Sequence, residues 1–130
     1  MKRKSIVVTI TSQVHQRRDW YVDFEAESFA TFFQGLSDEM DHLGITLTRL
    51  INRDVTITVN SYADLLNCVK VSSPEDNHHN QCVGHIIGKS EHLDIREDIR
   101  RAVRRLAFAP ETIEPENAFR KVCHNCGCGC

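Results

Sequence analysis

The chain has 130 residues, 41% of them apolar and 26% charged, which is enough for one ordinary domain with a core of its own. Lys+Arg (16) and Asp+Glu (18) nearly cancel, and a net charge of −2 argues against a dedicated nucleic-acid or membrane-surface protein. No apolar run approaches the roughly 20 residues of a membrane-spanning helix. The basic start MKRK leads into a stretch that turns polar too early for a secretory signal. A cytoplasmic location is expected, where stable disulfides are uncommon.

Ile6, Val8 and Ile10 alternate with Val7, Thr9 and Thr11, the period of a β-strand. Residues 12–19 are polar and serve as a connection. Trp20, Val22 and Phe24 then alternate with Tyr21, Asp23 and Glu25, which predicts a second strand in a hairpin with the first. Ser28 is placed to cap a helix. Phe29, Phe32, Phe33, Leu36, Met40 and Leu43 follow at three- and four-residue steps, an amphipathic helix that Gly44 ends in the left-handed conformation. Residues 45–51 and 55–59 predict two further strands, with Asn52-Arg53-Asp54 as the turn between them.

Ser61 with Asp64 three residues on opens a short helix containing Leu65, Leu66 and Val69. Residues 72–80 form a polar loop, in which His78 and His79 would bind metal at most weakly. Residues 81–88 predict a fifth strand. Leu93, Ile95, Ile99, Ala102, Val103 and Leu106 place a last helix over residues 90–107. Its acids come first and its arginines later, which suits the helix dipole and pairs Glu97 with Arg101. The arginines read as a solvated face.

The order strand, strand, helix, strand, strand, short helix, strand is that of a ubiquitin-like β-grasp fold in the α+β class. Residues 47–69, LTRLINRDVTITVNSYADLLNCV, resemble the second half of a Phox/Bem interaction domain. Asp54, Val55, Thr56, Ile57, Ser61, Asp64 and Leu65 match its acidic turn, its following strand and its short closing helix. Residues 19–36 resemble that family's second strand and first helix. The resemblance implies a Phox/Bem-like interaction domain over residues 4–88. Its partners would be proteins, other Phox/Bem-type domains or a second copy among them. Binding would run through an acidic face at Asp54 and Asp64 and a basic face. Where the family carries a lysine in the first strand this chain has threonine, and Arg17 and Arg18 are the nearest substitutes.

Six cysteines are present, and Cys123, Cys126, Cys128 and Cys130 fall within the last eight residues. A Cys-x2-Cys turn presents two thiolates to one ion, and zinc prefers four Cys or His ligands. Copper(I) also accepts a short thiolate-rich segment. Residues 122–126, VCHNC, resemble the opening of the ZZ-type zinc finger that follows the Phox/Bem domain in sequestosome-type autophagy adaptors, with the second half of the finger expected to be missing. Residues 108–130 are then a linker and a cysteine-rich tail.

Cys68 and Cys82 lie in apolar contexts and are expected to be buried thiols. A catalytic pairing of Cys82 with His85 is weaker than simple packing. No nucleotide, hydrolase or metalloprotease motif is present. The expectation is a non-catalytic adaptor. The alternatives are a zinc- or copper-binding protein acting through the tail, and thiol–disulfide exchange at Cys123 and Cys126.

Overall fold

The structure is a computed structural model and describes residues 4–16 and 20–113. Four strands form one mixed sheet in the order β2-β1-β3-β4. β1 (Lys4–His15) runs parallel to β2 (Ile45–Val59), with α1 (Glu27–His42) as the crossover between them. α2 (Tyr62–Asn67) leads into β3 (Val69–Ser73), which pairs antiparallel with β1 on its other side. β4 (His78–Cys82) pairs antiparallel with β3. α3 (Val83–Ile87) and α4 (Ile95–Phe108) complete the chain order. The class is α+β.

Helices cover one face of the sheet. Ile6, Val8 and Ile10 on β1 and Val69 and Val71 on β3 are almost fully buried. They share one core with Phe29, Phe33, Leu36 and Met40 of α1, and with Ile99, Ala102, Val103 and Leu106 of α4. The alternate residues point the other way. Ser5, Val7 and Thr9 are half-buried, and Thr46, Thr48 and Leu50 are exposed. The pleat therefore separates a packed face from a threonine-rich open one.

Several expectations are corrected. Residues 20–25 are not a strand but part of the connection from β1 to α1. Their alternation is real: Phe24 is buried while Tyr21 is exposed. It arises from side chains folding on and off the core without a ladder. The two strands expected over residues 45–59 are one strand, β2, parallel to β1 throughout. Asn52-Arg53-Asp54 is not a reversing turn. Thr11 pairs with Asn52 and Ser12 with Thr56, so Arg53, Asp54 and Val55 bulge out of the register. A bulge absorbs extra residues and bends the strand without changing its direction.

The chain over residues 72–82 is not a loop followed by a strand either. Pro74–Asp76 is a single 3-10 turn, β4 ends at Cys82, and the remainder of the expected fifth strand is α3. Val69 starts β3 instead of ending the short helix. The element order is thus βαβαββαα. Other details hold. Ser61 caps α2 by accepting from the amide of Asp64, and Gly44 adopts φ +81° after α1. The N-cap of α1 is Ala26 and not Ser28.

Four of the five arginines of α4, Arg100, Arg101, Arg104 and Arg105, are held by partners within the fold. Arg100 and Arg104 reach Glu39 of α1 at 3.0 and 2.9 Å. Arg105 donates to the carbonyls of Ile86 and Thr112. Arg101 pairs with Asp98 and the carbonyl of Lys89, not with Glu97. Lys4 ties the start of β1 to the end of α4: its ammonium donates to the carbonyls of Leu106 and Ala107 and pairs with Asp76. A cation there suits the negative end of the helix dipole.

Candidate functional site

Residues 20–26 wrap the N-terminus of α1 and form a wall with a cleft on each side. The backbone turns because Asp23 Oδ1 accepts from the amide of Glu25 at 3.0 Å and the Asp23 carbonyl accepts from Ala26 at 3.2 Å. This is a turn that aspartate makes readily. Phe24 packs edge-on against Phe29 at 5.1 Å between ring centres, which anchors the wall to the core.

The larger cleft, about 410 Å³, lies between this wall, α2 and the start of α4. Trp20, Tyr21, Phe29, Tyr62 and Leu93 give it an aromatic and aliphatic lining, edged by Asp23, Asp94 and Arg96. Trp20 packs on Tyr62 with ring centres 5.5 Å apart. Behind it, the Tyr62 hydroxyl donates to the buried carboxylate of Asp98.

The smaller cleft, about 200 Å³, lies between the wall and the edge strand β2. Thr11, Gln13, Glu25, Arg49 and Arg53 line it. Arg53 pairs with Glu25 at 2.9 Å. Arg49 lies on the helix-covered face of β2, its guanidinium 5.9 Å from the ring centre of Phe29 and 5.5 Å from that of Phe33. These are favourable cation–aromatic distances. Its Nη1 is buried and has no hydrogen-bond partner among the described residues.

Of the expected partner-binding residues, the structure describes Asp54 and Asp64. Asp54 is exposed on the β2 bulge, where its amide donates to Asn52 Oδ1 at 2.9 Å. Asp64 is half-buried in the first turn of α2. Its Oδ2 accepts from the amide of Asn60 at 3.0 Å while its own amide donates to Ser61 Oγ at 3.3 Å. The arrangement resembles a capping box, with the carboxylate reaching the amide one residue before the cap instead of that of Ser61 itself. Arg17 and Arg18 lie outside the described residues, as do Cys123, Cys126, Cys128 and Cys130 with any zinc or copper they would hold. Among the described residues no group of three or more His, Cys, Asp or Glu is placed to hold a metal ion.

Other titratable groups have structural places. His78 is not in a solvated loop: it is buried, and its Nε2 donates to the Pro110 carbonyl at 3.0 Å. His79 is exposed. Cys68 and Cys82 are buried thiols that form no disulfide among the described residues. Burial pushes the Cys68 thiol up to about 11.

Arg49 was missed by sequence reasoning, yet a signal exists. Ile45, Leu47, Arg49 and Ile51 occupy alternate positions. A charged residue at an inward position of a strand is the informative exception.

Among the described residues no helix is long and apolar enough to cross a membrane. Comparison with protein-family models, with curated proteins and with solved structures gives no match for this chain.

Proposed function

We propose that this chain is a non-catalytic protein-interaction module, an adaptor of the kind its Phox/Bem resemblance implies, and that it binds an extended segment of a partner along β2. A mixed sheet with a helix across one face is compatible with a grasp-like fold. The edge position of β2 carries the reading. Among the described residues β2 is the outermost strand of the sheet and pairs with β1 alone. It is 15 residues long, well above the ordinary strand length of about 5–6. Leu50, Ile51 and Val55 stand exposed along it at 51%, 45% and 45%.

Native edges are usually short, charged or covered, because unpaired amides and carbonyls beside apolar side chains invite another strand. Here the bulge at Arg53–Val55 limits the flat part to about the first half of β2, room for an added strand of about six to eight residues. This mode needs neither Asp64 nor a basic face.

The test is selection of displayed random peptides on the full chain, followed by hydrogen exchange of the best binders. Added strands should slow exchange at residues 45–52 and lose at least about tenfold in affinity to Leu50→Lys, since an edge lysine opposes strand addition. Peptides that protect another element and ignore Leu50→Lys would overturn the reading.

A further inference from the structure

We propose that the cleft over Arg49 is a carboxylate site, taking an aspartate or glutamate side chain of the segment that docks along β2. The identity of the occupant rests on the strand-addition reading, whereas the carboxylate chemistry rests on the cleft alone.

Arg49 carries a permanent charge in a half-buried position. The Phe29 and Phe33 rings engage its guanidinium through their π faces, which leaves hydrogen-bonding capacity unused. Its Nη1 is shielded from solvent with no partner among the described residues. A buried charged donor in that state is costly, and an acceptor that reaches it recovers a strong charge-assisted bond.

The other charges lining the cleft are Arg53, Glu25 and Asp23. Arg53 and Glu25 neutralise each other at 2.9 Å. Asp23 has Oδ1 held by the Glu25 amide, and its charge opposes any dianion. One uncompensated guanidinium beside one fixed carboxylate therefore favours a monoanion over a phosphate. The planar fork of arginine also matches a carboxylate in two parallel bonds.

The placement suits a docked strand. Arg49, Ile51 and Arg53 line the cleft at alternate positions of β2. A strand added to that edge would run about 4.8 Å away and send every second side chain to the same face. An acidic side chain from such a strand starts at the mouth of the cleft.

The test uses the ¹⁵N-labelled full chain and sodium acetate as the probe, against sodium chloride at matched ionic strength. The Arg49 Nε–Hε signal and the amides of Thr11, Ser12 and Gln13 should shift saturably, with a dissociation constant on the order of 10 mM. Arg49→Met should abolish the shift, and Arg49→Lys, which keeps the charge and loses the fork, should weaken it severalfold. Preserved dispersion of the core methyl signals shows that each variant is folded. A shift that does not saturate by about 200 mM, or that survives in folded Arg49→Met, would overturn the proposal.

The second arm uses peptides selected on β2. Changing their acid to the amide should cost about tenfold in wild type and nothing in Arg49→Met. Acetate binding with no selectable peptide supports the carboxylate site and removes strand addition. Selected peptides indifferent to the acid-to-amide change remove the carboxylate site and leave strand addition standing.

Discussion

The hydroxyl of Tyr62 donates to the carboxylate of Asp98, joining α2 to α4 inside the core. Asp98 is 1% exposed, so its charge depends on that donor and on Arg101 Nη1, 3.5 Å from its other oxygen. Tyr62→Phe removes the donor and leaves the carboxylate short of a partner. The expected loss of stability is about 1–3 kcal/mol, measured by urea denaturation at neutral pH.

The same pair sets an alkaline limit. Burial, and then the bond to Asp98, raises the Tyr62 phenol well above its ordinary value. A group whose folded value is raised contributes its stability in full below its unfolded value, about 10 for tyrosine. That contribution is lost as pH rises beyond it. Denaturation midpoints should therefore fall above about pH 10, and the fall should be shallower in Tyr62→Phe.

Lys4 and Asp76 define the acid limit. Burial raises the Asp76 carboxyl, but hydrogen bonds from Lys4 and Ser73 outweigh it, so the net shift is downward. Stability from a lowered carboxyl is present above its unfolded value, about 4, and is lost as pH falls through the folded value. Asp76→Asn should be less stable than wild type at pH 7 and should show a flatter acid limb. Lys4→Met should cost more than Asp76→Asn, because it also strips the ammonium from the carbonyls of Leu106 and Ala107. Thermal melts from about pH 2 to 7 distinguish the two.

What could be read from the sequence follows from where the signals are local. The Phe29-Phe33-Leu36-Met40 stripe, the cap at Ser61 and the stop at Gly44 each depend on a few adjacent residues, and all three are found. The β2 bulge was hidden because Asn52-Arg53-Asp54 has the composition of a turn, and only the parallel pairing with β1 decides that the chain runs on. β4 was hidden because His78-His79-Asn80-Gln81 has no apolar alternation. It is held by pairing with β3, and it buries His78 and Gln81 at 4% and 0% exposure. The Trp20–Glu25 alternation misled in the opposite sense, since a loop packed on a core alternates as a strand does. Arg49 was legible as an exception to a pattern, but its orphaned Nη1 and its two Phe neighbours come only from the tertiary structure.

Cys68 and Cys82 should resist labelling in the native chain. The thiolate is the reactive species. Burial lifts the Cys68 thiol to about 11, and both side chains are almost inaccessible at 0% and 3% exposure. Iodoacetamide at pH 8, followed by peptide mass mapping, should leave both unmodified over a time that labels them fully in urea. Because the Cys68 shift is upward, its stabilising contribution is also present at neutral pH and lost on the alkaline side. Rapid native labelling of Cys68 would show that the β1–α2–β3 junction opens far more readily than its packing implies.

Leu93 offers a test of strain at the rim of the larger cleft. It adopts φ +53°, a left-handed conformation that costs a bulky L-residue roughly 1–2 kcal/mol. It is also 54% exposed, so little apolar burial offsets the cost. Its amide is held by Ser90 Oγ at 3.0 Å, and the buried Ile95 follows two residues later. The turn is thus fixed from both sides, and the residue must accept its conformation. Asparagine tolerates that region far better, as at Asn77 and Asn80 with φ +64° and +47°. Leu93→Asn should raise stability by about 0.5–1 kcal/mol, read from the urea midpoint at unchanged slope. A loss of similar size would show instead that the Leu93 side chain packs into the cleft with Trp20 and Tyr62. The single tryptophan at position 20 would then report the change as a red-shifted emission.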